Sequence, residues 1–233
     1  MKTENGYVMF QGASALNGQD IVSIATLHSA NDKTGDMVQL WILPADNSPL
    51  TALKTNSNTG ACGSCKLQGW FDDAKGKMIN RVCYVNVGQA PEGIYKAWKR
   101  GKYPVYDPKM HAKRLRNRTI RLGAYGDPAA LPVDLLEYLV GLSNGHTGYS
   151  HQLFDIANTN VSLADRLAQL LMVSCDDNAQ HDIATARGWR TFTVKTPDGD
   201  APDNAIECPH YSHNVQCENC LLCSGSAKSR AKS

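Results

Sequence analysis

The chain has 233 residues, a mass of 25.4 kDa and a net charge of only +2. A hydrophobic content of 42% and a charged content of 20% are ordinary for a globular protein and exclude a fibrous or intrinsically disordered chain. The length suits one large domain, or a medium domain with a small appendage, because a single core keeps growing up to roughly 250 residues.

No part of the sequence predicts export or membrane insertion. The first residues, MKTENGYVMFQGASALNGQD, lack the basic start, the apolar stretch and the cleavage site of a secretory signal. No run reaches the roughly 18 apolar residues that a membrane span needs. We therefore expect a cytoplasmic protein with reduced thiols, whose cysteines serve as metal ligands or nucleophiles.

Short strands and polar loops are predicted in the first part of the chain. Two apolar runs, at 21–27 and 37–43, have the composition of strands. Segments 44–60 and 70–80 are polar and rich in turn residues, so we predict loops there. A further strand is predicted at 81–87.

From residue 92 onward, predicted helices and strands alternate. The helices are expected at 92–100, 131–142, 162–171 and 177–187, and the strands at 118–122, 147–151, 172–175 and 189–194. Such alternation predicts an α/β fold with a mainly parallel sheet, either open or curved, and we favour a partial (β/α) barrel-like arrangement. We predict an α/β domain at 1–196, then a linker and a small cysteine-rich metal-binding unit at 197–233.

The four cysteines of the tail are spaced C-x8-C-x2-C-x2-C. Two-residue gaps suit tight turns whose backbone amides point at sulfur, so neighbouring cysteines can occupy adjacent corners of one metal site. The spacing is more typical of a 4Fe-4S cluster than of zinc, which usually takes two separated pairs, although four thiolates also hold zinc. His210 or His213 could replace one ligand. The predicted ligands are Cys208, Cys217, Cys220 and Cys223.

An earlier group, Cys62, Cys65 and Cys83, has the spacing C-x2-C-x17-C. Three thiolates leave one coordination position open, which distinguishes a reactive metal site from a structural one. Alternatively, Cys175 or a histidine such as His151 supplies the fourth bond and closes the site. A redox-active disulfide between the first two cysteines is a third interpretation, although the strand and helix of a thioredoxin-like motif are not evident.

A family resemblance is carried by the motifs CGSCK, RVCYVNVGQAP, RLGAYGDPAALP, TGYSHQ, VSCDD, GWRTFTV and CPHYSHNVQCENCLLCSG. Over roughly 37–225 the chain resembles a phage-encoded family of cysteine-rich proteins that is similar in layout to radical S-adenosylmethionine enzymes. The resemblance implies a barrel-like fold, an open cluster near the start, an auxiliary cluster at the end, and the host cytoplasm as location. The first group has C-x2-C-x17-C where the radical enzymes have C-x3-C-x2-C, so the resemblance supports fold and metal more strongly than S-adenosylmethionine as a cofactor.

Polar residues follow several of the predicted strands. Reactive groups of parallel-sheet proteins gather where strands end, so we expect such residues to converge on the first cysteine group. Asp127 also has a structural explanation, because Gly-Asp-Pro forms a turn, and His151 could be a core histidine. The predicted catalytic residues are Asp127, His151 and Asp176, and the predicted cofactor-binding residues are Tyr84, Tyr125 and Gly126.

Segment 96–121 carries ten basic side chains against a single acid, Asp107. Aromatic residues are interleaved with them, which suits binding of single-stranded nucleic acid, although a solvated basic surface gives the same pattern. The predicted contact residues are Lys96, Lys99, Arg100, Lys113, Arg114 and Arg116.

Two functions are therefore expected from the sequence. The first is an iron-sulfur protein with one or two 4Fe-4S clusters, whose open cluster performs redox or radical chemistry on a small or nucleotide-like molecule. The alternative is a zinc- or cluster-stabilised nucleic-acid-binding protein.

Overall fold

The structure, a computed structural model, describes residues 4–194, 201–202 and 205–225. Most of the predicted linker at 197–204, and the basic stretch 226–233, lie outside the described residues. No helix within the described ranges combines the length and the apolar character needed to cross a membrane.

The described residues contain nine strands and ten α-helices. The strands are β1 (Gly6–Ala13), β2 (Asp20–Thr26), β3 (Val38–Pro44), β4 (Trp70–Asp72), β5 (Lys77–Ile79), β6 (Thr119–Tyr125), β7 (Gly145–Ser150), β8 (Met172–Cys175) and β9 (Thr191–Thr193). The helices are α1 (Pro49–Lys54), α2 (Thr59–Cys62), α3 (Ala90–Lys99), α4 (Pro108–Leu115), α5 (Val133–Leu142), α6 (Leu153–Thr159), α7 (Val161–Leu170), α8 (Asn178–Ala186), α9 (Pro209–His213) and α10 (Cys217–Cys220). Two 3-10 helices, Lys66–Gln68 and Pro128–Ala130, complete the set.

Seven strands form one mixed sheet in the order β1-β2-β3-β6-β7-β8-β9. The first three are antiparallel, and β3, β6, β7, β8 and β9 are parallel to one another. This confirms an α/β fold with a mostly parallel sheet. Each parallel strand is added on the same side, so the strand order never reverses. The edges are β1 and β9, and the described strands show no pairing that closes the sheet into a barrel.

The two faces of the sheet are covered differently. Side chains of a strand alternate between faces, and Leu40 and Ile42 of β3 pack with Ile120 and Leu122 of β6 against α5 to α8. We call this the helix-covered face. The second face carries Val22 and the other alternate residues, and α3 packs on it beside β1 to β3. We call this the opposite face.

The structure corrects several predictions in the first part of the chain. The strand predicted at 81–87 is wrong, because this segment forms no strand. The loops predicted at 44–60 and 70–80 are also wrong in part, since they contain α1 and the hairpin of β4 and β5. The helices and strands predicted from residue 92 onward are present with small shifts of their ends. Four further helices, α4, α6, α9 and α10, were not predicted.

Candidate metal centres

The three cysteines of the first group lie in separate turns, and the carbonyl oxygen of Leu67 joins two of these turns. Cys62 ends α2, and Cys65 precedes the 3-10 helix Lys66–Gln68. After the hairpin, the amides of Val82 and Cys83 donate to the Leu67 carbonyl, at 3.1 Å and 2.9 Å. Cys83 is thereby returned to the neighbourhood of the other two cysteines although it lies 18 residues beyond Cys65 in the sequence.

Gly63 and Gln152 fix the turn between the first two cysteines. Gly63 has a φ of +55°, and a Cβ there would lie 2.2 Å from the Gln152 Oε1 atom. Gln152 also donates from Nε2 to the Cys62 carbonyl at 3.3 Å and accepts at Oε1 from the Ser64 amide at 3.1 Å. The sequence analysis missed this glutamine, although it directly follows His151 in the motif TGYSHQ.

The Cys62 thiol lies in a buried and polar environment. Its Sγ accepts a hydrogen bond from Asn58 Nδ2 at 3.0 Å, and Asn58 Oδ1 accepts from the Tyr125 hydroxyl at 3.0 Å. Burial raises the pKa of Cys62 well above its usual range, and the thiols of Cys65 and Cys83 raise it further. Burial likewise raises the pKa of Cys65 to about 11. Ionisation of both Cys62 and Cys65 would therefore need a cation beside them.

The predicted catalytic residues lie together at the carboxyl ends of β6, β7 and β8. Asp127 is buried, and its carboxylate accepts from the amides of Ala129 at 3.0 Å and His151 at 2.9 Å. Burial raises the pKa of Asp127, and these hydrogen bonds oppose that shift. His151 Nδ1 lies 3.7 Å from Asp176 Oδ1, and Lys66 Nζ lies 3.6 Å from Asp176 Oδ2. The Asp127 amide donates to the Ala61 carbonyl at 2.7 Å, next to Cys62, and the charge of Asp127 raises the pKa of Cys62.

The residues predicted to bind a cofactor have three different environments. Tyr125 is buried and bonded to Asn58, one contact away from the Cys62 sulfur. Gly126 has a φ of +80°, and a Cβ there would lie 2.5 Å from the Ile42 carbonyl, so only glycine fits. Tyr84 is 74% exposed, and its hydroxyl accepts from Arg121 Nη2 at 2.8 Å.

The tail cysteines are held against the sheet by backbone hydrogen bonds at two places. At the first, the Cys217 amide donates to the Lys33 carbonyl at 2.9 Å and the Glu218 amide donates to the Thr34 carbonyl at 3.2 Å. The Glu218 carboxylate in turn accepts from the Asp36 amide at 2.9 Å.

The second anchor of the tail is on β7. Strand β8 pairs only with the last two residues of β7, Tyr149 and Ser150. Earlier in β7, the Gly148 amide donates to the Cys223 carbonyl at 2.9 Å. The tail therefore lies along the part of β7 with which β8 does not pair. Gly145 allows this approach, because a Cβ there would lie 2.4 Å from Leu221 Cδ1.

The tail thiols gather within electrostatic range of one another. Burial raises the pKa of Cys223, as do Cys208 and Cys220, whereas a hydrogen bond from Tyr149 lowers it. Burial and Cys223 also raise the pKa of Cys217. Nearby, the Nδ1 atom of His210 is buried and has no hydrogen-bond partner in the described part of the chain. Binding of a metal by Cys208, Cys217, Cys220 and Cys223 stays a prediction.

Neither cysteine group has the geometry of a site for one ion. Among residues 4–194, 201–202 and 205–225, no three Cys, His, Asp or Glu side chains converge closely enough to hold a single metal ion. Cys175 is buried apart from both groups, and the influences on its pKa are burial, Asp176 and Asp177 rather than another cysteine. A fourth bond from Cys175 to the first group is thus not assembled in the structure.

The basic segment 96–121 lies over both faces of the sheet. On α3, Tyr95 is buried in the core of the opposite face, and Lys99 Nζ lies 4.5 Å from the centroid of the Trp98 ring. On α4, Leu115 is buried in the core of the helix-covered face. Lys96, Lys99 and Arg100 are therefore in or next to α3, and Lys113, Arg114 and Arg116 are in or next to α4. Binding of nucleic acid by these residues stays a prediction.

Comparisons with known proteins assign this chain to no family. No protein-family model, no curated protein and no solved structure matches it significantly.

Proposed function

We propose that this chain is an iron-sulfur protein in which Cys62, Cys65 and Cys83 hold a 4Fe-4S cluster that has one iron without a cysteine ligand. The observation that carries the proposal is that the Asp127 amide, at the carboxyl end of β6, donates to the Ala61 carbonyl at 2.7 Å, next to Cys62, while Cys65, Cys83 and Asp127 all raise the pKa of Cys62. Reactive sites of parallel-sheet proteins occur at this edge. The open position would support redox or radical chemistry on a small or nucleotide-like molecule.

Three thiolates, rather than four, support a cluster with one open iron over a closed zinc site. Cys65 and Cys83 both raise the pKa of Cys62, so the charges of these two thiols act on it. A cluster of several irons is larger than one ion and is held by thiolates that stand further apart. When bound, such a cluster supplies electrons and one iron at which a ligand can coordinate.

The surrounding residues have roles that do not depend on the substrate. Asn58 donates a hydrogen bond to the Cys62 sulfur, which stabilises the thiolate and orients it. Asp127 accepts from the backbone amide of His151, the His151 ring lies 3.7 Å from Asp176, and Lys66 lies 3.6 Å from Asp176 on its other oxygen. The role proposed here for these three predicted catalytic residues is to accept or hold a proton at the strand ends.

The order of the strands supports the curved, barrel-like version of the fold. Parallel strands added successively on one side are the connectivity of (β/α) barrels, whereas doubly wound open sheets reverse their order. With two cysteine groups, one beside the strand ends and one on the sheet, the layout agrees with the expected resemblance to radical S-adenosylmethionine enzymes. The proposal includes S-adenosylmethionine only as a candidate ligand of the iron that has no cysteine ligand.

Anaerobic purification followed by reconstitution with iron and sulfide tests this proposal. The wild-type chain should be brown and contain iron and sulfide in stoichiometric amounts, because both cysteine groups are loaded. The double variant Cys62→Ser/Cys65→Ser should lose about half of both, and the matched control Cys175→Ser should lose none, since Cys175 belongs to neither group. A fully reduced sample without stoichiometric metal, or with zinc alone, would contradict the proposal.

The reactivity of the open iron is tested separately. We expect the reduced, reconstituted protein to bind or cleave S-adenosylmethionine if radical chemistry is its function, and His151→Gln to impair this without changing the iron content. Absence of both binding and cleavage excludes the radical version and leaves an iron-sulfur protein with another reaction.

A further inference from the structure

The basic segment folds around one edge of the sheet. Strand β1 forms that edge, and residues 104–106 run alongside it. The Val8 amide donates to the Pro104 carbonyl at 2.9 Å, and the Tyr106 amide donates to the Val8 carbonyl at 2.9 Å. Helix α3 comes just before this contact in the chain, and α4 comes just after it.

The two helices pack on opposite sides of β1. Tyr7 and Val8 are neighbours in this strand, so their side chains point to opposite faces of the sheet. The Tyr7 ring stacks on the His111 ring of α4, with the centroids 4.3 Å apart, and Tyr7 belongs to the core of the helix-covered face. Val8 belongs to the core of the opposite face, where Tyr95 and Trp98 of α3 also pack. The fold thus brings the cations of both helices to one edge of the sheet.

Several cations at this edge are exposed and have no anionic partner in the described part of the chain. Lys96 pairs with Glu92 at 3.3 Å, and Arg114 donates to the Glu4 carbonyl at 3.1 Å. Five others form no ion pair within the described ranges. We call these five residues the basic edge: Arg100, Lys102, Lys109, Lys113 and Arg116.

Carboxylates near the basic edge have partners of their own. Asp107 caps α4 and accepts from the Lys109 amide at 2.8 Å. On α5, which packs beside α4, Asp134 and Glu137 each lie 2.7 Å from Arg166. The charge of the basic edge is therefore available to an anion from outside the protein.

The aromatic residues of the basic segment are turned towards the protein. Tyr95 is buried, and Trp98 and Tyr103 pack against the same core. Tyr106 packs against the other core, and its hydroxyl lies 3.0 Å from the Tyr138 hydroxyl. Stacking on unpaired bases needs an exposed ring face. The segment therefore offers contacts to phosphate more than stacking on bases, which corrects the single-strand preference expected from the sequence.

We propose that the basic edge binds the phosphate backbone of double-stranded nucleic acid, with little regard to base sequence. A duplex carries one negative charge per roughly 1.7 Å of its axis, and phosphate contacts position a protein without reading bases. A membrane is a less suitable partner, because a planar surface contacts one side of an edge. Val105 and Met110 are exposed between the cations, but two apolar side chains contribute little to membrane binding.

Fluorescence anisotropy of the full chain with short labelled duplexes, over a range of salt concentrations, tests this binding. One double variant is made on each side of β1: Arg100→Gln/Lys102→Gln after α3, and Lys109→Gln/Lys113→Gln on α4. Each should weaken binding on the order of tenfold at low salt and flatten the plot of log K against log salt by about 2, because two phosphate contacts are lost. DNA and RNA duplexes of the same sequence are compared, and the tighter complex identifies the partner.

A matched control removes the same amount of charge elsewhere. Lys54→Gln/Lys77→Gln changes two exposed lysines on α1 and β5, and it should leave the affinity and the salt dependence nearly unchanged. Because all the substituted side chains are exposed, the three variants should keep the Tm of the wild type.

Four results would overturn the inference: no salt-dependent binding of either duplex, tighter binding of the corresponding single strand, a loss in only one of the two edge variants, or an equal loss in the control. Binding to phosphatidylserine vesicles without binding to a duplex would assign the basic edge to a membrane instead. None of these results bears on the iron content of the first cysteine group, which is measured independently.

Discussion

The two cysteine groups of this protein present the same sulfur atoms in opposite surroundings. Burial raises the pKa of Cys62 in the first group, and the charge of Asp127 raises it further. In the tail group burial raises the pKa of Cys217 and of Cys223, and cations oppose this shift: Lys33 and Arg121 for Cys217, and Arg190 for Cys223. Acidic neighbours disfavour negative charge on sulfur, and basic neighbours favour it. The comparison teaches that identical thiols in one chain can differ in how readily they carry negative charge.

The groups also differ in how the chain positions them. The first group is built within 62–83 by local turns, a hairpin and the Leu67 carbonyl. The tail group is positioned by hydrogen bonds to residues that lie far away in the sequence, at 33–36, at β7 and at Arg190. Loss of the tail centre should therefore affect the whole sheet, whereas loss of the first centre should remain local.

Removing the cysteines of one group at a time should give the largest effect on the stability of the chain. Cys217→Ser/Cys220→Ser should lower the stability of the reconstituted chain by about 4 kcal/mol, or about 10 °C in Tm, because binding of a metal centre contributes directly to folding. The matched pair Cys62→Ser/Cys65→Ser should cost distinctly less, since its turns stay joined through Leu67. Thermal denaturation of both variants, with limited proteolysis at 31–36, measures the difference. Equal losses would break the comparison.

A second variant tests the close approach that places Asp127 beside Cys62. Gly126→Ala should cost about 3 kcal/mol, because its φ is +80° and the new Cβ would meet the Ile42 carbonyl at 2.5 Å. Gly76 also has a positive φ but has open space around it, so Gly76→Ala should cost only about 1 kcal/mol. Urea denaturation measures both. A similar loss of stability in Gly126→Ala and Gly76→Ala would mean that Gly126 does not lie close to the Ile42 carbonyl.

The smallest expected effect concerns Cys175, the cysteine of neither group. Burial raises the pKa of this thiol from 9.0 to about 12. The unfolded chain therefore releases this proton at a lower pH than the folded chain, so stability falls as the pH rises from about 9 towards 12. Cys175→Ala should reduce the difference in Tm between pH 7.5 and pH 10.5 relative to wild type. If the difference stays the same, the thiol is not the group that titrates.

The fold from residue 92 onward was predictable because its elements have strong local signals. Helix α8 illustrates this, with Asp177 as its cap accepting from the Gln180 amide at 2.8 Å. Strand β1 was missed, because its residues, GYVMFQGA, are half-exposed at the edge of the sheet and mix apolar with small residues. Helix α7 begins one residue earlier than predicted, since Asn160 rather than Ser162 is its cap.

The candidate site was predictable in its strand-end residues but not in its supporting contacts. The ends of the predicted strands identified Asp127, His151 and Asp176, which follow β6, β7 and β8. The roles of Gln152 and Lys33 could not be predicted, because they arise from contacts between parts of the chain that are distant in sequence. One signal was available: Gly148 in a predicted strand indicates close approach of another segment.

The place beside β7 that the tail occupies has a consequence for the order of assembly in the cell. All nine strands precede Cys223 in the chain, so the ribosome makes the complete sheet before the segment that covers Gly145 and Gly148. Until that segment emerges, the early half of β7 remains uncovered on the newborn protein. All three cysteines of the first group are made before β6, whereas the tail group lacks Cys223 until every described strand has been synthesised.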